Sequence, residues 1–452
     1  MSLIESKTSK IEELIKQDAE KKQEIENHVL QEPSQITENE KQMMYNITSK
    51  ISNMYKERIA REGSDNAVLN REIIQTIKNE ADKLDVSFET QKRIEKATIS
   101  NIIGLGPIEQ YRLDDDVTEI IVERFDKICI EKHGNIYNVD ASFTDEQHLQ
   151  NIINRIVQPI GRQINLSNPI VDARLSDGSR VNATIPPISP DGATLTIRKF
   201  SKEMITKDGY LENHSLNEKM LYFLAKCMQG KISGMISGGT SSGKTTFLNL
   251  LSSFIPKDEL IITIEDSCEL QLKQPHVRRL ETRDNGVDGT LNVTQSMLVK
   301  NCLRMRPDRI IVGESRDGSV VDMIGAMNTG HDGSWSTVHA NSPRNLIDSR
   351  FLTLFSMNKD TNFSEESIKL QISQALYLIV QVSRMKNGSR KVTHITEVSG
   401  INEDMKIELN DIFLYDDKKD EFYATGYVPN RVLKALERNN VNVNVNIFES
   451  EV

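Results

Sequence analysis

The sequence predicts an α/β protein in which a helix-covered parallel sheet carries a phosphate-binding loop. Three observations lead there. After Asn217 the chain alternates helix-like and strand-like runs, an order that builds parallel sheets with helices on their faces. The octapeptide Gly238-Gly239-Thr240-Ser241-Ser242-Gly243-Lys244-Thr245 fits GxxxxGK[ST]. An apolar strand at 232–237 runs into it and a helix-compatible run, 246–251, leaves it, which is the context such a loop requires.

The elements follow in chain order. Residues 1–57 are rich in Lys, Glu, Gln, Ser and Asn, and Ile11, Leu14, Ile15 and Ile25 fall only roughly at helical spacing. With Pro33 and low hydrophobicity, this predicts a polar arm, partly helical or disordered. Helical runs with charged faces, such as 72–77, make 58–103 a small helical bundle. At Gly104-Leu105-Gly106-Pro107 the character changes. Short strands are expected at 119–122, 128–130 and 136–139, with the turn His133-Gly134-Asn135 between the last two. A helix through Ile152, Ile153 and Ile156 follows, then strands at 179–185 and 193–198, so 104–201 reads as an α+β domain. The polar stretch 202–216, with Gly209, reads as a linker. Residues 217–452 form the nucleotide-binding domain with C-terminal elements, including strands at 260–264 and 309–312 and a helix at 294–305.

Composition narrows the class. A net charge of −10 argues against a protein that coats nucleic acid. No stretch approaches the ~18 uninterrupted apolar residues of a membrane span. The start, Met1-Ser2-Leu3-Ile4-Glu5-Ser6-Lys7, lacks the apolar core of a signal peptide. Cys129, Cys227, Cys268 and Cys302 lack metal-site spacing and are expected to be reduced thiols of a cytoplasmic protein.

The loop carries the chemistry. Glycines let backbone N–H groups approach polyphosphate oxygens, and the following helix offers its positive N-terminal end. Lys244 is expected to reach the β- and γ-phosphates and Thr245 to present its hydroxyl to Mg²⁺. The nucleotide-holding set is Gly238, Gly239, Thr240, Ser241, Ser242, Gly243, Lys244, Thr245 and Thr246. Ligands of such sheets bind beyond the C-terminal strand ends, and two acidic sites fall there, at 264–269 and at Val312-Gly313-Glu314. Phosphoryl transfer to water needs a metal, a phosphate cradle and a group that orients the nucleophile. Glu314 is the candidate for the metal shell and Glu269 for polarising the water. The segment 329–341 offers His331 and His339 without a convincing metal-ligand set, so a hydrogen-bonding or phosphate-sensing role suits them. Ser342-Pro343 reads as a helix start.

The octapeptide, the acidic box 265–269, the run 303–314 and the histidine box together resemble the type II/type IV secretion ATPases. Five segments are similar to the CpaF-like branch that serves tight-adherence (Flp-type) pili. They are Gly104-Leu105-Gly106-Pro107-Ile108-Glu109, Asp177-Gly178-Ser179-Arg180-Val181-Asn182, Thr196-Ile197-Arg198-Lys199-Phe200, Glu281-Thr282-Arg283 and Met327-Asn328-Thr329-Gly330-His331. The resemblance runs from about 104 to 398. It implies a RecA-like P-loop core preceded by an N-terminal α+β domain and a helical extension, assembled as a homohexameric ring with nucleotide between the domains. It also implies that Arg180 and Arg198 contact phosphates, that Arg283 and Arg304 reach a neighbouring subunit, and that His331 and His339 form the family's histidine box. The implied activity is hydrolysis of ATP with Mg²⁺, powering pilus assembly or secretion. The implied partners are inner-membrane platform proteins that hold a cytoplasmic motor at the membrane. Two alternatives stand beside it, an ATPase of conjugative DNA or protein transfer and a nucleotide-binding scaffold without turnover. The chain departs from relatives at Ser267-Cys268, where retraction motors carry proline, and at Val122-Glu123-Arg124, where many carry Val/Met-Asn-Gly.

Overall fold

In the first compact unit, 1–201, apolar residues at helical spacing build a three-helix bundle. The computed structural model describes residues 37–62, 66–132, 134–200, 206–283 and 292–450, so the expectations for 1–36 and for His133 lie outside the described residues. The helices are Glu38–Glu62, Ala67–Ala81 and Phe88–Ile102. Asn66 caps the second, accepting from the amides of Val68 and Leu69, and Ser87 caps the third at Thr90. Ile47, Ile51 and Tyr55, four residues apart, bury one stripe against Ile73, Ile77, Ile94 and Ile99. The first helix therefore runs straight through position 57, where the sequence placed the end of the arm.

An antiparallel sheet of six strands follows, in spatial order β3-β2-β1-β6-β5-β4. The strands are β1 Val117–Arg124, β2 Lys127–Lys132, β3 Asn135–Val139, β4 Ile170–Arg174, β5 Arg180–Thr184 and β6 Thr194–Arg198. One face packs Ile120, Val122, Val181, Leu195 and Ile197 under Leu149, Ile152, Ile153 and Ile156 of helix Glu146–Val157. The other face is polar, as period-2 alternation requires. β4 is an edge strand with only Val171 buried, which is why its pattern gave no strand signal.

The Gly104–Glu109 motif has a structural explanation. The Glu109 carboxylate is buried, accepting from the Leu105 amide (3.0 Å) and from Arg112 (2.6 Å), and Arg112 also reaches Asp177 (3.1 Å). Arg155 donates to the carbonyls of Asn101 (3.0 Å) and Gly104 (2.6 Å). A Cβ on Gly104 would sit 3.0 Å from Glu109 Cγ. Backbone and ion pairs thus staple the bundle's last turn to the sheet.

The second unit, 202–452, is built on a nine-stranded sheet ordered β15-β14-β13-β12-β7-β11-β10-β8-β9. β7 Gly234–Gly238, β8 Ile261–Glu265, β9 Val277–Glu281, β10 Arg309–Val312, β11 Trp335–Val338 and β12 Leu378–Arg384 run parallel. β13 Arg390–Ile401, β14 Ile407–Asp416 and β15 Glu421–Ala424 extend the sheet antiparallel from β12. β7, β8, β10 and β11 are buried throughout, the signature of a sheet covered on both faces. Gly234 is obligatory, since a Cβ there would lie 2.4 Å from the buried Trp335 ring. Arg309, fully buried, donates to Glu259 (2.5 Å) and to the Met228 carbonyl (2.7 Å) at the N-terminal strand ends. The stretch read as a linker contains a helix, Lys207–Glu212, capped by Thr206.

Candidate active site

The sheet order sets the site. Read across β7, β11, β10 and β8, the C-terminal strand ends deliver in turn the glycine-rich loop, His339, Glu314 and the acidic box. The loop is held by backbone that only certain residues permit. Gly243 (φ 88°) and Ser241 (φ 57°) are left-handed. A Cβ on Gly238 would lie 2.2 Å from the Val382 carbonyl oxygen on β12. Helix Lys244–Ser252 then starts without a side-chain cap. Its first amides are the donors an anion would meet.

Lys244 is buried and donates to the carbonyls of Gly238 (3.1 Å) and Gly239 (2.8 Å). Its Nζ also lies 3.3 Å from His339 Nδ1, while His339 Nε2 lies 2.9 Å from Glu314 Oε1. An ammonium only donates, so Nδ1 accepts from Lys244 and the ring proton sits on Nε2, facing Glu314. Burial, and then the charge of Lys244, hold the His339 pKa below its ordinary value, against the pull of Glu314.

The acidic box is organised by Glu265, not by Glu269. Glu265 is buried; its Oε2 accepts from the amides of Glu269 (2.7 Å) and Leu270 (2.9 Å), and burial raises its pKa against those bonds. Its Oε1 has no hydrogen-bond partner. Glu269 is half-buried on the loop that Glu265 pins. Asp266 pairs with Arg316 (2.6 Å) and accepts from Thr282 (3.0 Å).

Of the sequence-predicted residues, Lys244, His339 and Glu314 come together directly, beside Thr245 and Thr246 on the helix. His331 does not join them. It lies before β11, at the N-terminal strand ends, with Nδ1 3.3 Å from the Ala326 carbonyl, and the whole of β11 separates it from His339. Arg304 is exposed after helix Gln295–Cys302, and Arg283 bridges to Val293.

Arg180 and Arg198 belong to the first unit, where strand register pairs them. Arg180 stands opposite Arg198, Arg174 opposite Arg180, and Glu119 opposite Arg198. Directly opposed residues share a face, so three arginines run side by side across β4, β5 and β6 on the polar face. Burial and then Glu131 raise the pKa of Glu119, while Arg198 pulls it down.

Sequence reasoning missed four residues. Arg174 is recognisable only through strand register. Gln381, buried in β12, accepts from Ser237 and donates to the Ala340 carbonyl (3.2 Å), tying the strand before the loop to the backbone just after His339. Arg390, on the β12–β13 hairpin, donates to the Ser241 carbonyl (3.2 Å). Arg350 ends a π-helical turn, Leu346–Arg350, entered from the Ser342 cap, and its charge also depresses the His339 pKa. π-turns of this kind recur at functional sites.

Comparison with known proteins places this arrangement. The family model described as "Type II/IV secretion system protein" matches residues 102–412. A putative conjugal transfer protein of Mycobacterium tuberculosis is 28% identical over 302 residues, covering 66% of this chain and 85% of its own. The conjugal transfer protein TrbB of Rhizobium radiobacter is 30% identical over 294 residues, covering 64% and 86%. A crystal structure of the VirB11 ATPase of the Brucella suis type IV secretion system, in complex with sulphate, is 26% identical, covers 64% of this chain and 92% of that one, and gives a TM-score of 0.36. With two thirds of its length inside the family model, and the loop, histidine and acids of that span converging on one end of the sheet, this chain belongs to the type II/IV secretion system protein family.

Proposed function

We propose that the protein hydrolyses ATP to ADP and phosphate as a homohexameric motor for pilus assembly or secretion, in the tight-adherence branch of its family. The observation that carries the hydrolytic part of this reading is the Lys244–His339–Glu314 contact at the mouth of an uncapped, glycine-bounded helix; the ring and the branch rest on the sequence resemblance alone. Lys244 is the charge for the β- and γ-phosphates. The nucleoside would lie in a 230 Å³ cavity beside the loop, lined by Tyr210, Asn213, Ser242, Thr246, Ser389 and Arg390 among others. Thr245 and Glu314 would hold Mg²⁺, which when bound supplies charge neutralisation on the phosphate oxygens. Glu269, on its pinned loop, orients the attacking water, and His339 links Glu314 to the phosphate-binding lysine.

The arginine pair Arg180 and Arg198 supplies further positive charge from the N-terminal unit, and Arg283 and Arg304 do so toward a neighbouring subunit. His331 is the second member of the family's histidine box, with a hydrogen-bonding role of its own away from the loop. No described helix is long and apolar enough to cross a membrane. Attachment through inner-membrane platform proteins, with the motor on the cytoplasmic side, suits that surface. Phosphate release by the purified chain, abolished by chelating Mg²⁺, tests the activity. A chain that binds ATP but releases no phosphate would be a scaffold instead.

The names of the relatives favour a second reading, an ATPase of conjugative transfer. Neighbouring genes separate the two: pilin and platform genes support the pilus motor, relaxase and coupling-protein genes the other.

A further inference from the structure

A second cavity, of about 430 Å³, opens at the other end of the same sheet. Tyr377 precedes β12, and Glu397 of β13 stands opposite Leu378 at the start of β12. The loop meets the opposite end of β12, where Val382 stands against Gly238. The cavity is therefore separated from the phosphate-binding loop by the length of the strand.

Its walls are built of rigid, satisfied groups. Glu397 is buried; its Oε1 accepts from the Val432 amide (2.8 Å) and its Oε2 from Tyr427 (2.6 Å) and Ser399 (3.0 Å). Arg431 lies 4.1 Å from the Tyr377 ring centroid and donates to the carbonyls of Gln374, Leu376 and Val398. These two residues are fully engaged in holding helix Asn430–Arg438 onto the sheet. Lys434 and Arg438 are different. They stand one turn apart on that helix, line the cavity, are exposed, and make no ion pair among the described residues. Beside them Tyr377, one face of which Arg431 covers, Tyr427 and Ala435 add a smaller apolar surface.

We propose that this cavity docks an acidic segment of a partner protein, with one apolar side chain among Tyr377, Tyr427 and Ala435 and flanking carboxylates on Lys434 and Arg438. Charge complementarity chooses the occupant. Three cations face one carboxylate in the cavity, on a chain whose net charge is −10. A cationic patch selects a complementary acidic surface more than it adds raw affinity. The volume exceeds what a bare anion fills, and the aromatic walls would be wasted on one. The position leaves the nucleotide site free, so docking and ATP binding can coexist.

The test uses the full chain and a fluorescein-labelled dodecapeptide of Glu and Asp with one central Phe, read by fluorescence anisotropy at low salt. Binding is expected, weakened roughly tenfold or more by Lys434→Glu with Arg438→Glu. Ala435→Trp, which fills the cavity and keeps both charges, is expected to weaken it as well. ATP hydrolysis without peptide should be unchanged in the charge-reversal variant, which reports that it folds. Absent binding, or equal binding by both variants, overturns the proposal. So does equal binding of a peptide with Ser in place of Phe, which reduces the site to bare charge. Displacement by millimolar inorganic phosphate or by MgATP also overturns it, reassigning the cavity to a small anion or a nucleotide.

Discussion

Lys244 and the arginine row of β4, β5 and β6 are both cationic and both proposed to meet phosphate, yet they are held in opposite ways. Lys244 is buried, bound to two carbonyls and to a neutral imidazole. Its environment is complete before any ligand arrives. Arg174, Arg180 and Arg198 stand side by side across three strands, where like charges directly opposite are destabilising. Glu119, opposite Arg198, offsets part of that repulsion, and a bound anion is expected to lower it further. The first site is preorganised by attraction, and the second gains by neutralisation. Mutations at the two should therefore separate stability from activity in opposite senses.

The largest effect is expected at Lys244. Lys244→Ala removes the charge proposed for the β- and γ-phosphates and should lower the hydrolysis rate by a factor on the order of a hundred to a thousand or more. It also leaves the Gly238 and Gly239 carbonyls short of a donor, costing about 1 kcal/mol of stability. Phosphate release and thermal unfolding measure the two. Near-native turnover in a folded variant would remove the loop from the chemistry.

Glu314→Gln comes next. The amide keeps the shape but loses the charge, so nucleotide should bind with little change while single-turnover hydrolysis slows by roughly ten- to a hundredfold. Equilibrium binding of a fluorescent ATP analogue beside rapid-quench hydrolysis gives both numbers. A loss confined to binding would place Glu314 in nucleotide retention only.

Arg198→Ala tests the other half of the comparison. Removing one member of a like-charge row should leave stability within about 0.5 kcal/mol, while single-turnover hydrolysis falls several-fold. Arg198→Lys, which keeps charge but loses the planar fork, should fall in between. A stability loss with no change in rate would make the row a structural element of the sheet.

How much of this the sequence revealed depends on where information sits in a chain. β7, β10 and the loop between β7 and its helix are local, continuous and apolar, and they were legible, as were the strands 119–122 and 193–198. The antiparallel strands β13–β15 were not. Buried polar residues such as Lys391, Thr396 and Glu397 interrupt their hydrophobic pattern, and each is acceptable only because of a distant partner, as Glu397 is through Tyr427 and the Val432 amide. The site divides the same way. Lys244, His339 and Glu314 follow apolar strands and could be named from motif and position. Arg174 could not, because its place beside Arg180 depends on register, and a slip of one residue would turn it to the other face. His331 was grouped with His339 by proximity in sequence, which a strand converts into separation in space.

The smallest effect, and the most specific, is the titration of His339. Its ring is neutral in the fold because the first cause acting on it is burial and the second is the ammonium of Lys244. A group with a depressed folded pKa contributes stability that is fully present above its unfolded value, about 6.5 for imidazole. That contribution is lost as pH falls through the lower folded value. Hydrolysis should therefore be flat above about pH 6.5 and decline on the acid side, where a proton on Nδ1 would face Lys244 and break the contact that joins the loop to Glu314. The pH profile alone does not identify the group, since His148 and His394 also have lowered pKa values, each chiefly through burial. Variants of the two partners do. Removing the ammonium in Lys244→Ala should move the His339 midpoint up, and removing the carboxylate in Glu314→Gln should move it down. His148 and His394 should stay where they are in both. Two-dimensional NMR of ¹⁵N-histidine-labelled protein, with His339→Gln to assign the resonance, reads all three rings in one titration. Shifts in the same direction in both variants, or a wild-type midpoint at or above the ordinary imidazole value, would mean that His339 does not bridge Lys244 and Glu314 in solution.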